Sequence, residues 1–396
     1  MPVLHVSVED LRPGMYIVDM GLSWIDHPYL YAKEGLIRSH AQIVEIIHQG
    51  FAEAYYDTEQ SNIQPAEPIT LKSLGISPAV PKIVPLGEEL EQVENTYSDC
   101  VRHAKEFMLE ARNGTVDLEP SRPLVQGIID SVNRNIDALT SLAKIKHYDE
   151  YTFAHCVNVS IFSVAFGKYL GLDQKRLFLL GMAGLFHDLG KMQVPVEILN
   201  APRRLTDEEF AVMKTHALLG QKTLASVKGI APEILMGVGQ HHEKHDGSGY
   251  PDCLVGSGIS LFGRILSVAD CYDALSSKRV YKDAMPPTKA LSIMFEMRKG
   301  AWEPGLLERF IKMLGIYPVG TPVELTSGFK GVVAKSNPVM PMQPVAAVVR
   351  APDGRGIVPP RTVDLAKHAG IKITHPLTAG EAEDIDILSI LKSLGN

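Results

Sequence analysis

From Ser121 to Leu314 apolar residues recur at three- and four-residue steps in one segment after another, and this periodicity constrains the fold more than any other feature of the chain. Leu124, Ile128, Val132, Ile136, Leu139 and Leu142 form the first stripe, read as one helix that Ser121 and Pro123 open. Similar stripes follow at Phe153–Leu170, Arg176–Leu189, Asp207–Ser226, Pro232–His242, Ile259–Ser276, Pro287–Lys299 and Glu303–Leu314. A helix with one apolar face must bury it, and successive helices of this kind bury their faces against one another. Residues 120–318 are therefore expected to form an all-helical domain, preceded over 86–119 by a connecting helix that Asn113-Gly114 stops.

The flanks carry a different pattern. Residues 1–60 alternate short apolar runs (Val3–Val8, Met15–Val18, Tyr29–Tyr31) with turn signals and one helical stretch, His40–His48, which suits a small α+β domain. Five prolines and no periodicity mark 61–85 as a linker. Beyond Tyr317-Pro318, β-branched runs at Thr321–Leu325, Gly331–Lys335, Val345–Arg350 and Gly356–Val358 predict a β-rich extension over 319–396, ending in a tail helix near Ile385–Leu394. The fold class is mainly α, with a small N-terminal α+β domain and a short C-terminal β extension.

Composition excludes several functions. A chain of 396 residues with net charge −7 lacks the basic face that a nucleic-acid polymer or an anionic membrane surface demands of its main partner. The longest uncharged apolar run, Leu177–Phe186, is about half the ~20 residues of a membrane-spanning helix. Met1–Asp10 has two acids and no apolar leader core, so a cytoplasmic protein is expected. Cys100, Cys156, Cys253 and Cys271 show no C-x-x-C pairing and read as reduced core thiols.

Histidine is the anomaly: seven of the fourteen fall between residues 147 and 245. His155 lies in register with Val159, Phe162, Phe166 and Leu170, so its imidazole points into the core, where it must be hydrogen-bonded or ligated. His187-Asp188 follows ten residues without a charge, and a buried carboxylate needs compensation. His216 alone would pass for a surface or capping residue. His241-His242-Glu243 ends a helix and leads into a turn, His245–Pro251, dense in titratable groups. Asp270 sits in the apolar stretch Ile265–Leu275, with Asp273 one turn later on the same side, and Arg279 and Lys282 offer a basic patch.

Imidazoles mixed with carboxylates suit borderline divalent metals. His155, His187, Asp188, His216, His241, His242 and Asp270 supply donors for two ions. With Asp188 shared, one ion takes His155, His187 and Asp270, and the other takes His216, His241 and His242. Two ions about 3.5–4 Å apart that activate a bridging hydroxide are the design of a phosphodiester hydrolase.

The motifs H-D-L-G-K (His187–Lys191) and H-H-E-K-H-D-G-S-G-Y-P (His241–Pro251) resemble those of the HD-GYP family, a branch of the HD-domain metal-dependent phosphohydrolases. Y-T-F-A-H ending at His155, then His216, then A-D-C-Y-D at Ala269–Asp273 occur in the same order, so the resemblance covers about residues 120–315. It implies an HD-type helical domain that hydrolyses cyclic di-GMP first to linear pGpG and often on to GMP, while the donor set itself accepts Fe or Mn, or else Zn or Ni. It also implies that Asp188 bridges the ions, that Lys191 holds a phosphate, that Arg279 and Lys282 bind the dinucleotide, and that the loop carrying Gly249 and Tyr250 borders the site and contacts diguanylate cyclase (GGDEF) domains. Some members hold a third metal through a carboxylate four residues before the first histidine. Tyr151 stands there, and Glu150 is one residue off, so two metals are expected. A homodimer through Leu86–Leu142 is a further expectation. Two other readings compete with the enzyme: a slow receptor for cyclic di-GMP, and a hydrolase of another cyclic dinucleotide such as cyclic GMP-AMP.

Overall fold

The computed structural model describes residues 3–20, 30–48, 51, 53–62, 84–114, 116–145, 151–277, 285–337, 340–368 and 370–394. The chain divides into two compact units, one of residues 1–81 with 304–312 and the other of 82–303 with 313–396. In the first, strands β1 (Val3–Ser7), β2 (Tyr16–Ile17), β3 (Leu30–Tyr31), β4 (Gly35–Leu36) and β5 (Glu53–Asp57) accompany helix α1 (His40–His48). β5 is central, antiparallel to β1 and β2 and parallel to β3. Val8, Leu11, Ile17, Ile37, Ile43, Ile46 and Ala54 form its core.

The second unit begins with α2 (Leu86–Arg112), α3 (Ser121–Arg134) and α4 (Ile136–Ile145). The stripe from Leu124 to Leu142 predicts one helix here, but Asn135 leaves the helical region, its side chain accepting from the Asp137 amide and donating to the Val84 carbonyl. A local competitor for backbone bonds thus splits the helix in two. α5 (Tyr151–Tyr169) follows, with Val157, Val159, Ile161, Phe162, Val164, Ala165 and Phe166 all fully buried. A helix apolar on every side belongs at the centre of a bundle.

α6 (Gln174–Phe186) is capped by Asp173 and crosses α5 closely, because Gly181 and Gly184 face Ser160, whose hydroxyl donates to the Gly181 carbonyl at 2.8 Å. The predicted helix to Leu189 ends at Phe186, and a 3-10 turn, Leu189–Gln193, takes over. Then come α7 (Val196–Leu199), α8 (Asp207–Lys214), α9 (His216–Ala225), α10 (Pro232–Gln240), α11 (Leu261–Ser276) and α12 (Pro287–Ala301). α8 starts in a capping box, Thr206 with Glu209, that Arg203 reinforces with two bonds. Asp207–Ser226 is two helices rather than one, parted at Thr215, whose hydroxyl bonds back to the Val212 carbonyl. A Cβ on Gly190 would collide with the His216 carbonyl and the Gly220 amide, so glycine is what lets α9 lie against the turn after Asp188.

α13 (Leu306–Leu314) contributes its residues to 312 to the first unit. The C-terminal strands β6 (Pro322–Leu325), β7 (Lys330–Lys335), β8 (Val345–Arg350), β9 (Gly356–Asp364) and β10 (Ile373–Pro376) form an antiparallel sheet in the order β10-β6-β7-β8-β9. β9 runs six residues past the predicted Val358, through two prolines, which its edge position tolerates. α14 (Ile387–Ser393) buries Leu391, and Lys392 reaches Glu94 of α2 at 2.5 Å. All four cysteines are free, but only Cys100 and Cys156 are buried; Cys253 is exposed in the loop after Tyr250, which corrects its reading as a core thiol.

Candidate metal centre

Every donor expected from the sequence converges on one buried point. His155 comes from the first turn of α5, His187-Asp188 from just past α6, His216 from the start of α9, His241-His242 from just past α10, and Asp270 from within α11. Three of the histidines are oriented by one device. A helix leaves its last carbonyls without intrahelical partners. Nδ1 of His187 donates to the Gly184 carbonyl at 2.8 Å, Nδ1 of His216 to that of Met213 at 2.7 Å, and Nδ1 of His241 to that of Val238 at 2.7 Å. Each ring is thereby fixed in the tautomer whose Nε2 lone pair faces the centre.

Asp188 divides the cluster. Its Oδ2 lies 3.3 Å from His187 Nε2 and 3.7 Å from His155 Nε2, while Oδ1 lies 3.4 Å from His216 Nε2 and 4.0 Å from His241 Nε2. Two donor groups result, each spanning no more than 4.8 Å and each including Asp188: His155 with His187, and His216 with His241 and His242. Asp270 stands over both, Oδ1 at 3.0 Å from His155 Nε2 and Oδ2 at 3.8 Å from His242 Nδ1.

The residues fit divalent cations. His187 Nε2 and Asp188 Oδ1 are buried without a hydrogen-bond partner, a costly state for polar atoms. His216 and His241 point their Nε2 atoms at each other across 3.3 Å although both spend their N–H on a carbonyl, so two lone pairs face one space. A divalent cation between them satisfies both lone pairs at once. Burial pushes His216 down to about 4 and His242 down to about 3, and holds His241 well below the ordinary range, which keeps these rings neutral, the form that ligates. Burial opposes ionisation of Asp188, yet His187 and Lys191 hold its carboxyl well below the usual range. At His155 burial is outweighed by the carboxylates of Asp270 and Asp273, which push it up to about 9. Both carboxylates call for positive charge at that ring.

The remaining predicted residues surround the cluster, apart from Arg279 and Lys282, which lie outside the described residues. Lys191 donates to Asp188 Oδ2. Tyr250 lays its ring 4.7 Å from that of His242 at 31°, and its amide donates to the His242 carbonyl. Gly249 is required by close approach, since a Cβ there would meet the Glu243 Cα at 2.5 Å and the His242 carbonyl oxygen at 2.6 Å.

Two acids near the metal ligands have other duties. Glu243 is buried and accepts the amides of Asp252 at 2.7 Å and Leu254 at 3.0 Å, clamping the loop that carries Tyr250. Asp273 bonds the far side of the His155 ring, Nδ1, at 2.7 Å. Lys214, at the end of α8, is a residue that sequence reasoning missed: its ammonium lies 5.4 Å from the Phe210 ring centre and 5.9 Å from that of Tyr250. Nothing in its local sequence marks it, because the contact with Tyr250 is made across the fold.

A helical bundle that gathers an H-D pair and further imidazoles and carboxylates at one buried point is the architecture of the HD-type phosphohydrolases. Family models match accordingly: an HD domain over residues 126–304, and a domain of unknown function (DUF3391) over residues 4–120. The chain is 33% identical over 373 residues to the cyclic di-GMP phosphodiesterase PA4108 of Pseudomonas aeruginosa, covering 92% of this chain and 89% of that one. It is 36% identical over 168 residues to the 3'3'-cGAMP-specific phosphodiesterase 3 of Vibrio cholerae, 42% of this chain and 36% of that one. Among solved structures, Bd1817, a HDG"Y"P protein from Bdellovibrio bacteriovorus, aligns over 79% of this chain and 99% of its own at 18% identity and a TM-score of 0.48. The chain belongs to the HD-GYP family of HD-domain phosphodiesterases, with an additional N-terminal domain. No helix among the described residues is long and apolar enough to cross a membrane.

Proposed function

We propose that this chain hydrolyses cyclic di-GMP to linear pGpG and on to GMP at a centre of two divalent metal ions, Fe or Mn. The observation that carries the reading is the division of the cluster by Asp188 into two donor groups, one on each carboxylate oxygen. His155, His187, Asp188 and Asp270 would hold one ion, and His216, His241, His242 and Asp188 the other. Bound there, divalent ions supply Lewis acidity that activates water and neutralises phosphoryl charge. An N/O donor set of this kind accepts Fe, Mn, Zn and Ni, so cellular supply selects among them.

The chain's own residues shape the rest. His155, His187, His216 and His241 are buried, whereas the side chains of His242, Asp270 and Lys191 are 26%, 15% and 25% exposed. That exposed edge is where a phosphodiester can enter. Lys191 presents an ammonium there and, with Asp188 engaged by cations, is free to turn to a phosphate oxygen. Tyr250 offers an aromatic face beside His242 for a base, and Lys214 adds positive charge at the same rim. Glu243 holds that loop in place from beneath.

The test is steady-state hydrolysis by anaerobically purified chain reconstituted with Fe(II) or Mn(II), with products separated by chromatography and Asp188→Ala run in parallel. pGpG and GMP from the unsubstituted protein alone is the expected result; tight binding with no product from fully metallated protein would make the chain a receptor. A second reading, hydrolysis of 3'3'-cyclic GMP-AMP, draws on the similarity to the Vibrio cholerae enzyme. A higher kcat/KM for that dinucleotide than for cyclic di-GMP would establish it instead.

A further inference from the structure

His155 faces the metal ligands with Nε2, and its other nitrogen opens onto a buried chain of hydrogen bonds that leads to α2. Nδ1 bonds Asp273 Oδ2 at 2.7 Å. Asp273 Oδ1 accepts from Asn158 Nδ2 at 2.9 Å and from the Ser277 hydroxyl at 2.9 Å. The Asn158 amide also donates to the Ala143 carbonyl at 3.2 Å, and its Oδ1 accepts from the Tyr97 hydroxyl at 2.6 Å. Tyr97, Asn158, Asp273 and His155 are all buried.

The direction of every bond is forced. A backbone carbonyl only accepts, so the Asn158 NH2 must face Ala143 and, with it, Asp273, which leaves its oxygen for a donor, and the tyrosine hydroxyl is that donor. With a cation at Nε2, His155 would keep its one proton on Nδ1, donated to Asp273, and turn its Nε2 lone pair toward the space shared with Asp188 and Asp270. Three histidines of the cluster obtain the same tautomer from a helix-end carbonyl three residues back. His155 sits in the first turn of its helix, where no such carbonyl exists, and depends on Asp273 instead.

The origin of Tyr97 is the informative point. The HD-domain match covers 126–304, and Tyr97 lies outside it, within the 4–120 match to a domain of unknown function. Tyr97 belongs to the same compact unit as the cluster, so a residue outside the HD match reaches, through two intermediaries, a ring of that cluster. Its helix is also tied to its surroundings, since Glu89 receives two bonds from Arg134 and Glu94 pairs with Lys392.

We propose that Tyr97, Asn158 and Asp273 are positioning residues that set the tautomer and ring plane of His155, so that helix α2 governs how tightly the His155–His187 half of the centre holds its metal. The segment of the HD match alone would not suffice for that half; the hydroxyl from α2 is part of it. This rests on the two-group reading of the centre given above.

The experiment is Mn(II) titration of chelator-treated full-length chain, followed by electron paramagnetic resonance, for the unsubstituted protein, Tyr97→Phe and Asp273→Asn. The unsubstituted protein should bind two equivalents. Asp273→Asn should weaken one equivalent by about 10–100-fold, the usual effect of removing a carboxylate behind a ligating histidine. Tyr97→Phe should weaken the same equivalent by several-fold and leave the other unchanged. In 15N spectra of the protein loaded with diamagnetic Zn(II), the His155 Nδ1–H signal should shift or broaden in both variants, a signature that a purely structural role for Tyr97 would not produce. Wild-type affinity for both equivalents in folded Tyr97→Phe overturns the role of α2, even if Asp273→Asn is impaired. If Asp273→Asn does not fold, Tyr97→Phe decides alone. Fewer than two equivalents bound by the unsubstituted protein would instead remove the two-metal reading, and the proposal with it.

Discussion

Gly184→Ala adds one methyl group between α5 and α6 and should dismantle half of the metal centre. A Cβ at this position would lie 2.7 Å from Ser160 Cα, 3.0 Å from Ser160 N and 3.3 Å from the Val159 carbonyl carbon. All three are backbone atoms, so no rotamer change relieves the clash. Ordinary contact begins at 3.4 Å, and the helices must part by about 0.7 Å at this point, the difference between 3.4 and 2.7 Å. Gly184 is one turn before His187 and supplies the carbonyl that orients its ring, while Ser160 is five residues after His155 on α5. Parting the helices therefore separates His155 from His187 and Asp188. Metal–ligand distances tolerate only about ±0.2 Å, roughly a third of that displacement. Overpacking of this kind costs about 1–3 kcal/mol, offset in part by the better helix propensity of alanine, about 1 kcal/mol.

The assay is metal content per chain after desalting, with melting temperature and turnover measured on the same samples. Gly184→Ala should melt several degrees lower, retain one metal instead of two and lose at least tenfold in kcat. Gly127→Ala is the matched control, because its Cβ would meet only the Thr96 methyl at 3.4 Å; it should keep both metals and its stability. A Gly184→Ala protein with two metals and an unchanged melting temperature would refute the link between the α5–α6 crossing and the donor geometry.

His216→Ala should leave one metal per chain and Asp188→Ala none, by elemental analysis; two metals in either would dissolve the proposed division of ligands. Glu243→Gln places an NH2 group against one of two backbone amides, and an unsatisfied buried donor costs about 1–3 kcal/mol. Because only the loop of Tyr250 is loosened, KM for the dinucleotide should rise several-fold with both metals retained, and a metal-depleted variant would show Glu243 to be a ligand support instead. Lys312 lies 3.8 Å from the Phe51 ring centre, and burial pushes it down to about 7 from an ordinary 10.5. The unfolded chain then binds more protons than the folded one between about pH 7 and 10.5, so this lysine penalises folding most below pH 7 and least above 10.5. Lys312→Met should raise the melting temperature at pH 6 and lose most of that advantage by pH 10; an advantage independent of pH would exclude desolvation of the ammonium as its cause.

What was legible in the sequence divides according to how local its cause is. Helical stripes put His155 on an inward face, and the uncharged run before His187-Asp188 announced a buried carboxylate, because burial of a helix face is written in periodicity. The breaks at Asn135 and Thr215 escaped that reading, since a side chain competing for backbone bonds leaves the apolar spacing intact. His216 looked superficial for a different reason: its burial depends on Gly190 and Gly220 letting α9 settle against the turn after Asp188, a contact between segments thirty residues apart. Asp270 and Asp273 were paired correctly on one face of α11, yet periodicity could not say that they would grip opposite nitrogens of a single imidazole. Tyr97 was the least accessible of all. Within α2 it continues the apolar spacing of Leu90, Val93 and Val101, so its ring is accounted for by packing and its hydroxyl by nothing nearby. A polar atom that a sequence pattern leaves over must find its partner in the tertiary fold, and here that partner, Asn158, stands three residues beyond the first histidine of the centre.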